Sequence, residues 1–457
     1  MKQQTDLGQG SVGKLLIKLA IPAIAAQLVN ALYNMVDRMY IGRIEGVGSL
    51  ALTGVGLCFP IIMLISAFSS FVGMGGAPIA AIRMGEKNQE GAERILGNAV
   101  STLVILSALL TLVFFLFKEK FLFWFGASND TYPYANGYLS VYLIGTIFVQ
   151  LSLGLNMFIT TQGFSKFSML TVVIGAAANI ILDPIFIFGF DMGVKGAALA
   201  TILSQGISAL WVVLFLIGKR TLLKIKVRYM KPDFKILLPV FALGLSPFVM
   251  QSTESLVNIC LNSSLQHYGG DLAVGAATII TSVLQLCLMP LHGLTQGAQP
   301  ITSFNYGAQN YDRVRKTYRL LIVSCLTVST LIWLSVMLFP RMYIAIFTET
   351  KELADYTVGY MRLFMGAIFM MGLQLSCQQT FLALGKAKVS VLLACLRKII
   401  LMIPLIFILG YFFQTNGVFA AEPVADALAA TTTFIVFLVQ IRHILPKTGK
   451  NEILEEK

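Results

Sequence analysis

The chain has 457 residues, of which 56% are hydrophobic and only 12% are charged, and its formal net charge is +12. Soluble globular domains carry about 25% charged residues, so this composition excludes an ordinary soluble domain and indicates that a lipid bilayer is the solvent. A nucleic-acid partner is the competing explanation for the positive charge, but basic residues that flank membrane spans account for it.

Apolar stretches of roughly 20 residues, the length that crosses a bilayer as a helix, recur along the whole chain. Backbone polar groups in hydrocarbon must be satisfied within their own segment, which favours helices. We therefore predict an all-α membrane protein with twelve transmembrane helices. The predicted spans are 15–40, 51–82, 95–117, 134–162, 167–190, 196–217, 236–265, 272–303, 318–340, 356–384, 389–412 and 418–443.

The distribution of basic residues predicts the orientation. Most of the 34 Lys and Arg residues fall in the termini and the even-numbered connections, so the positive-inside rule puts both termini in the cytoplasm. The densest basic stretch runs from Lys219 to Lys235. It predicts a cytoplasmic linker, 219–235, between an N-terminal six-helix lobe, 1–218, and a C-terminal six-helix lobe with a short cytoplasmic tail, 236–457.

The two halves resemble each other. GGAPIAAIRMG at 75–85 aligns with GAQPITSFNYG at 297–307, an offset of 222 residues (from 75 to 297). The same offset pairs Asn88 with Asn310 and GFSKFS at 163–168 with GKAKVS at 385–390. Because six spans precede the second half, we predict a parallel repeat related by a pseudo-twofold axis along the membrane normal.

Three acidic residues lie deep within predicted spans: Asp37 in the first, Asp183 in the fifth and Glu254 in the seventh. An acid at the centre of a membrane helix costs about 2.5–3.5 kcal/mol on insertion scales, so such residues indicate function. The alternative is that each is a helix-packing carboxyl, protonated or paired with a nearby base. Pro184 follows Asp183 and predicts a bend that leaves backbone carbonyls free.

Amides and hydroxyls recur near these acids at intervals of three or four residues, which aligns them on one helix face. A single polar stripe can be interhelical glue. Stripes that end in carboxylates on several helices are typical of a water-filled cavity. The stripes comprise Gln27, Asn30, Asn34 and Asp37; Asn156 and Thr160; Asn179 and Asp183; and Gln251, Glu254 and Asn258.

The sequence assigns no chemical role to the other charged residues of the spans or to the histidines and cysteines. Arg397 and Lys398 are expected to snorkel or to pair with acids. Glu422 and Asp426 lie near the outer start of the last span and are predicted to be interfacial. The three histidines and six cysteines form no close group, so we expect no resident metal or cofactor.

Three segments now identify a family: LAIPAIAAQLVNALYNMVDRMYIG at 19–42, GMGGAPIAAIRMGEKN at 73–88 and NIILDPIFIFGFDMGVKGAALAT at 179–201. They resemble the multidrug and toxic compound extrusion (MATE) family, in particular its bacterial MepA-like branch, over nearly the entire chain. The resemblance implies two six-helix bundles, a cavity open to one side at a time, and export driven by protons or sodium ions. It places the family's coupling residues at Asp37, Asn179 and Asp183, and that of some members at Glu254. On the tenth helix, where other members carry an acid, this chain has Gln374 and Gln378.

We therefore predict a secondary antiporter, not an enzyme, that exports cationic or amphipathic organic compounds in exchange for H⁺ or Na⁺ by alternating access. The cation-coupling residues are predicted to be Asp37, Asp183, Asn179, Asn156 and Thr160, with Asp37, Asn179 and Asp183 holding any Na⁺. The substrate cavity is predicted to include Gln27, Asn30, Tyr33, Asn34, Met157, Gln251, Glu254, Asn258, Gln285, Gln374 and Gln378. Aromatic and methionine contacts to the substrate are expected at Tyr33, Phe148, Met157, Phe158, Met250 and Met289.

The sequence also leaves alternative functions open. A flippase for a lipid-linked precursor is the alternative of the same superfamily, although its anionic cargo would favour a cavity ringed by Arg or Lys. A membrane-embedded enzyme would need a nucleophile and base or a metal cluster, and the sequence offers no such motif. A channel is disfavoured by the repeat and the bent helices. The protein is expected to be a monomer.

Overall fold

The computed structural model describes residues 6–348 and 350–446, and within them all regular structure is helical. A π-helical segment, Ile185–Gly189, follows α6, and another, Leu396–Met402, follows α13. A short 3₁₀ turn covers Val227–Tyr229. The α-helices are α1 Val12–Gly42, α2 Gly48–Gly85, α3 Gln89–Trp124, α4 Tyr132–Ile144, α5 Thr146–Thr161, α6 Ser165–Pro184, α7 Gly193–Ile217, α8 Phe234–Gly307, α9 Tyr311–Leu338, α10 Pro340–Ile344, α11 Lys351–Phe364, α12 Ile368–Ala383, α13 Ala387–Cys395 and α14 Ile403–Ile444.

These helices supply the predicted number of spans. Within residues 6–348 and 350–446, eight stretches are long and apolar enough to cross a membrane, and two bent helix pairs, α4 with α5 and α11 with α12, pass the same test together. Two of the eight stretches are too long for one crossing: α8 would extend about 110 Å at 1.5 Å per residue, against a hydrocarbon core of about 30 Å. The other long stretch is Ala387–Ile444, which ends in α14. The backbone of α8 breaks at Gly270 (φ 64°), and that of α14 breaks at Gln414 (φ 52°). Dividing both stretches there gives twelve spans.

Two of the predicted spans are bent rather than straight. The fourth is α4 and α5, which meet at 58° around Gly145. A Cβ on Gly145 would lie 2.3 Å from the side chain of Ile202, so only glycine allows α7 to pack into this bend. The tenth is α11 and α12, which meet at 46°. In the fifth span the α-helix ends at Pro184, where the π-helical segment begins.

The described chain forms two compact units. The first contains Ala25–Gln251, and the second contains Leu7–Ile24 together with the described residues from Ser252 onward. The division therefore falls within α1 and within α8 rather than in the linker. Each unit has its own apolar clusters, for example around Phe158 in the first unit and around Phe419 in the second.

The internal repeat is visible in the backbone. Lys87 and Gln309, 222 positions apart, both adopt positive φ, 59° and 57°. The residues that follow them, Asn88 and Asn310, are both N-caps. The side-chain oxygen of each accepts a hydrogen bond from the backbone N–H three residues further along the chain. These paired features confirm the repeat and, with the twelve spans, the predicted all-helical architecture.

The basic linker is bound to the first unit along its length. Buried Gln162 accepts hydrogen bonds from Thr221 Oγ1, Leu222 N and Leu223 N at 2.8, 2.8 and 2.9 Å. The carboxylate of Glu93 pairs with the Lys226 ammonium. The linker is therefore an anchored segment and not a free tether.

Candidate functional site

The first unit brings two of the predicted acids together. Asp183 and Asn179, one turn apart near the end of α6, are 0% and 1% exposed, and Asn179 Nδ2 donates to Asp183 Oδ1 at 3.2 Å. The carboxyl group of the half-buried Asp37 of α1 lies close enough to that of Asp183 for the two groups to interact. Two carboxylates only accept hydrogen bonds, so one must carry a proton for the pair to be joined.

Three buried oxygens in this cluster lack a donor. Asp37 Oδ1, Asn179 Oδ1 and Asp183 Oδ2 receive no hydrogen bond from the residues that the structure describes. Buried acceptors are normally satisfied, so orphans of this kind call for an explanation. A proton on one carboxyl would join the two acids, and a cation that the oxygens coordinate would satisfy all three. The arrangement therefore offers oxygen atoms that could bind H⁺ or Na⁺.

A small cavity adjoins this cluster. Its volume is about 40 Å³, and since one water needs roughly 10–15 Å³, it has room for a few waters or an ion but not for an organic drug. Ten of its fourteen lining residues have a polar side chain. It is lined by Asn30, Tyr33, Ser152, Leu153, Asn156, Thr171, Val172, Gly175, Ala176, Asn179, Thr201, Ser204, Gln205 and Ser208.

Asn156 and Thr160 of α5 connect the cavity to α6. Asn156 Oδ1 accepts from Thr171 Oγ1 at 3.1 Å, and Asn156 Nδ2 donates to the Ser168 carbonyl at 3.2 Å. Thr160 Oγ1 hydrogen-bonds to Ser168 Oγ at 2.8 Å. These two predicted residues therefore fix α5 against α6 and do not reach the acidic pair directly.

The sequence reasoning missed a shell of aromatic and hydroxyl groups around the acids. Tyr138 and Tyr142 of α4 are almost fully buried and stack on each other with ring centroids 6.1 Å apart. Tyr138 hydrogen-bonds to Thr201 and interacts electrostatically with Asp37. The signal available in the sequence was the i, i+4 spacing of two tyrosines within an apolar span.

The remaining predicted residues of the first unit occupy varied positions. Asn34 Nδ2 donates to the Asn30 carbonyl at 2.7 Å, which is an internal helix contact. Gln27, Tyr33 and Met157 are half-buried, and so is Gln251, whose Oε1 is buried without a donor among the described residues. Phe158, expected to contact substrate, is instead fully buried in the apolar core against Gly76.

The second unit pairs the acids of its spans with basic residues. Glu254, predicted to line the substrate cavity, forms an ion pair with Lys398 at 2.8 Å. Glu422 and Asp426 are not interfacial: they are 6% and 5% exposed. The sequence placed them at the surface because they lie near a helix start, but Arg397 of the neighbouring π-helical segment binds both.

The four other predicted cavity residues of the second unit differ in their burial. Gln374 and Gln378 of α12 are buried, and Gln374 Oε1 has no donor among the described residues. Asn258 is half-buried, and Gln285 is exposed. In the described part of the chain, no group of three or more His, Cys, Asp and Glu side chains could hold a metal ion.

A bent-helix membrane architecture with an internal repeat and a buried acidic pair defines a membrane carrier, and sequence comparison gives the family. The MatE family model matches residues 22–185 and 247–408. The chain belongs to the MatE family.

Its relatives cover nearly its full length. The chain is 24% identical to the multidrug export protein MepA of Staphylococcus aureus (strain MSSA476), over 94% of this chain and 95% of that protein. It is 23% identical to MepA of Staphylococcus haemolyticus (strain JCSC1435), over 97% and 98%. A solved structure described as the outward-facing conformation of a multidrug resistance MATE family transporter of the MOP superfamily superposes with a TM-score of 0.89 at 25% identity, covering 96% of this chain and 98% of that one.

Proposed function

We propose that this protein exports cationic and amphipathic organic compounds in exchange for protons, by alternating access across a bacterial plasma membrane with both termini in the cytoplasm. The observation that carries the proposal is the direct approach of the Asp37 and Asp183 carboxyl groups beside Asn179, with three buried oxygens that lack a donor. The MepA relatives are named multidrug export proteins, which supports export of small organic molecules.

The chemistry of the pair supplies coupling. Two adjacent buried carboxyls resist double ionisation, so one proton is retained while no other cation is present. A cation beside the pair stabilises its ionised form and releases that proton. Proton and cation therefore exclude each other, which is the condition for exchange.

The available driving force is sufficient for uphill export. One charge that crosses 100 mV carries about 2.3 kcal/mol, and one pH unit adds about 1.4 kcal/mol per proton. The cavity beside the pair is too small to enclose a drug, so the bound organic cation acts on the pair through its charge from outside that cavity. The substrate contacts, including Gln27, Asn34 and Asn258, stay predictions.

The carboxyl–carboxyl approach favours H⁺ over Na⁺, because a sodium ion would need the two groups to separate around it. The flippase alternative has no comparable support. The buried cations Arg397 and Lys398 are bound to carboxylates, so they offer no free basic surface to an anionic headgroup.

The test is efflux of a cationic dye from proteoliposomes under an imposed proton gradient or an imposed sodium gradient, each applied alone. We expect export under the proton gradient, and loss of export in Asp37→Asn and Asp183→Asn with the protein still folded. Asp130→Asn, at an exposed loop position, is the matched control and should transport normally. Full transport by both site variants would reject the proposal, and export under the sodium gradient alone would replace H⁺ by Na⁺.

A further inference from the structure

The second unit carries an open, basic groove along the first turns of α9. Its volume is about 620 Å³, within the range of about 300–1,000 Å³ that is usual for ligand pockets. Three of its lining side chains are cations and one is an acid, so the groove has an excess of positive charge and attracts an acidic partner. It is lined by Asp312, Arg315, Lys316, Arg319, Leu320 and Val323.

The single acid of the groove does not neutralise its cations. Asp312 pairs with Arg315 at 2.8 Å. Lys316 and Arg319 are exposed, and neither forms an ion pair within the part of the chain that the structure describes. Val323 lies one turn beyond Arg319 on the same helix face and is 60% exposed. An occupant that fits the groove therefore needs acidic side chains beside apolar ones.

The internal repeat relates this groove to one face of α3 in the first unit. At the offset of 222 residues, 312–323 corresponds to 90–101. The two faces differ in charge at a central position, where α9 has Arg315 and α3 has Glu93. The partner of the α3 face therefore indicates which kind of partner the groove takes.

The linker covers that face of α3. Glu93 pairs with the ammonium group of Lys226. Asn98 Nδ2 donates to the Tyr229 carbonyl at 3.2 Å, and Asn98 Oδ1 accepts from the Asp233 backbone N–H at 2.7 Å. In the first unit, the partner of α3 is therefore the basic segment that follows the last span of the same unit.

The corresponding segment of the second unit approaches the groove of α9 in the same way. At the offset of 222 residues, the linker corresponds to 441–457. In the first unit, the Lys224 backbone N–H donates to the Glu93 carboxylate. At the equivalent positions of the second unit, the Arg315 guanidinium donates to the Pro446 carbonyl. Pro446 therefore contacts the groove at the position where the linker first contacts α3.

The sequence after Pro446 has the composition that the groove requires. Residues 447–457 lie outside the described residues, and their sequence is KTGKNEILEEK. The linker contacts Asn98 nine residues after Lys224 (from 224 to 233), and nine residues after Pro446 is Glu455 (from 446 to 455). Around this position, two apolar residues lie among three acids: Glu452, Ile453, Leu454, Glu455 and Glu456.

The distance also fits. The groove extends about 17 Å along α9 at 1.5 Å per residue, and the six residues from Pro446 to Glu452 span up to about 20 Å. Exposed ion pairs are individually weak. A segment joined to its site by a few residues, however, has an effective concentration of the order of millimolar, so weak contacts are enough to hold it.

We infer that residues 447–457 bind in the groove of α9, with their acidic side chains on the groove cations and with Ile453 and Leu454 beside Val323. This contact fastens the last span of the second unit to α9, as the linker fastens the last span of the first unit to α3. The charges are reversed between the two contacts: a basic segment lies on an acid in the first unit, and an acidic segment lies on bases in the second.

The test is the mobility of a nitroxide spin label at Leu454→Cys in the full-length protein, reconstituted in phosphatidylcholine nanodiscs. The background is Cys260→Ser/Cys395→Ser, since the other four thiols are buried. We expect an immobilised spectrum. Lys316→Glu/Arg319→Glu should lose the immobilised component, and so should Glu455→Lys/Glu456→Lys. The two sets combined should restore it, because the ion pairs then form with their charges exchanged.

The matched control is Arg341→Glu/Lys388→Glu, which reverses two exposed cations of the second unit outside the groove and should leave the spectrum unchanged. If a variant does not fold, 1 M NaCl serves instead, since screening to about 3 Å should also remove the immobilised component. A mobile label in the unaltered groove, immobilisation that survives both charge reversal and salt, or a combined variant that stays mobile would overturn the inference.

An anionic phospholipid headgroup is the competing occupant of the groove. The same spectra in nanodiscs that contain phosphatidylglycerol separate the two, and we expect the label to stay immobilised there. Release of the label by phosphatidylglycerol would show that the headgroup takes the groove, and would also overturn the inference. None of these spectra requires a gradient or a substrate, so their outcome is independent of whether export occurs.

Discussion

The acidic pair of the first unit should make the protein less stable than it could be. When both carboxyls are ionised they repel, and Asp37 Oδ1 and Asp183 Oδ2 lack a donor among the described residues. Asp183→Asn removes one charge and adds an amide that can donate to Asp37. A buried unsatisfied acceptor costs about 1–3 kcal/mol. We therefore expect the variant to gain about 1–3 kcal/mol in free energy of unfolding at alkaline pH in sodium-free buffer.

The gain should shrink as the buffer is acidified. In the wild type a shared proton then joins the two carboxyls and removes the repulsion, so wild-type stability falls as pH rises while that of the variant changes less. The chain provides its own reporters: Cys58, Cys287, Cys325 and Cys377 are buried free thiols that react with a fluorogenic maleimide only on unfolding. Asp130→Asn is the control at each pH. A variant no more stable than the wild type at alkaline pH would refute this reasoning.

Two further predictions concern the scaffold. Gln162→Ala removes three hydrogen bonds that hold the linker, worth about 2–4 kcal/mol together, so trypsin should cut the linker faster than in the exposed-site control Gln285→Ala; equal cutting would contradict the anchoring. A Cβ on Gly244 would lie 1.8 Å from the Phe71 carbonyl oxygen, whereas one on Gly56 would meet nothing within 4 Å. Gly244→Ala should therefore abolish the monodisperse peak in size-exclusion chromatography, while Gly56→Ala retains it. Equal monodisperse peaks for the two variants would show that α2 does not approach α8 closely at Gly244.

The lengths of the apolar stretches and the local turn signals were enough to predict most of the fold. Span number and the repeat at Asn88 and Asn310 followed from local sequence, because a bilayer demands long apolar helices and because capping is a local interaction. The bends at Gly145 and between α11 and α12 were missed, since an apolar stretch of sufficient length reads as one straight helix.

The candidate site was predictable only in part. Asn179 and Asp183 share a helix face, so their hydrogen bond follows from i, i+4 spacing. The pairing of Glu254 with Lys398, and of Arg397 with Glu422 and Asp426, joins residues on different helices. No periodicity encodes such contacts, so burial of Glu422 could not be separated from an interfacial position.

The most direct measurement of the central claim is the number of protons released when an organic cation binds. Purified protein in weakly buffered, sodium-free solution is mixed with tetraphenylphosphonium, and a pH indicator reports the release. If cation and proton exclude each other at the pair, the wild type releases about one proton more per bound cation than Asp37→Asn or Asp183→Asn, by the mutual exclusion of charges argued above. Equal release by the wild type and both variants, with the cation still bound, would contradict the account.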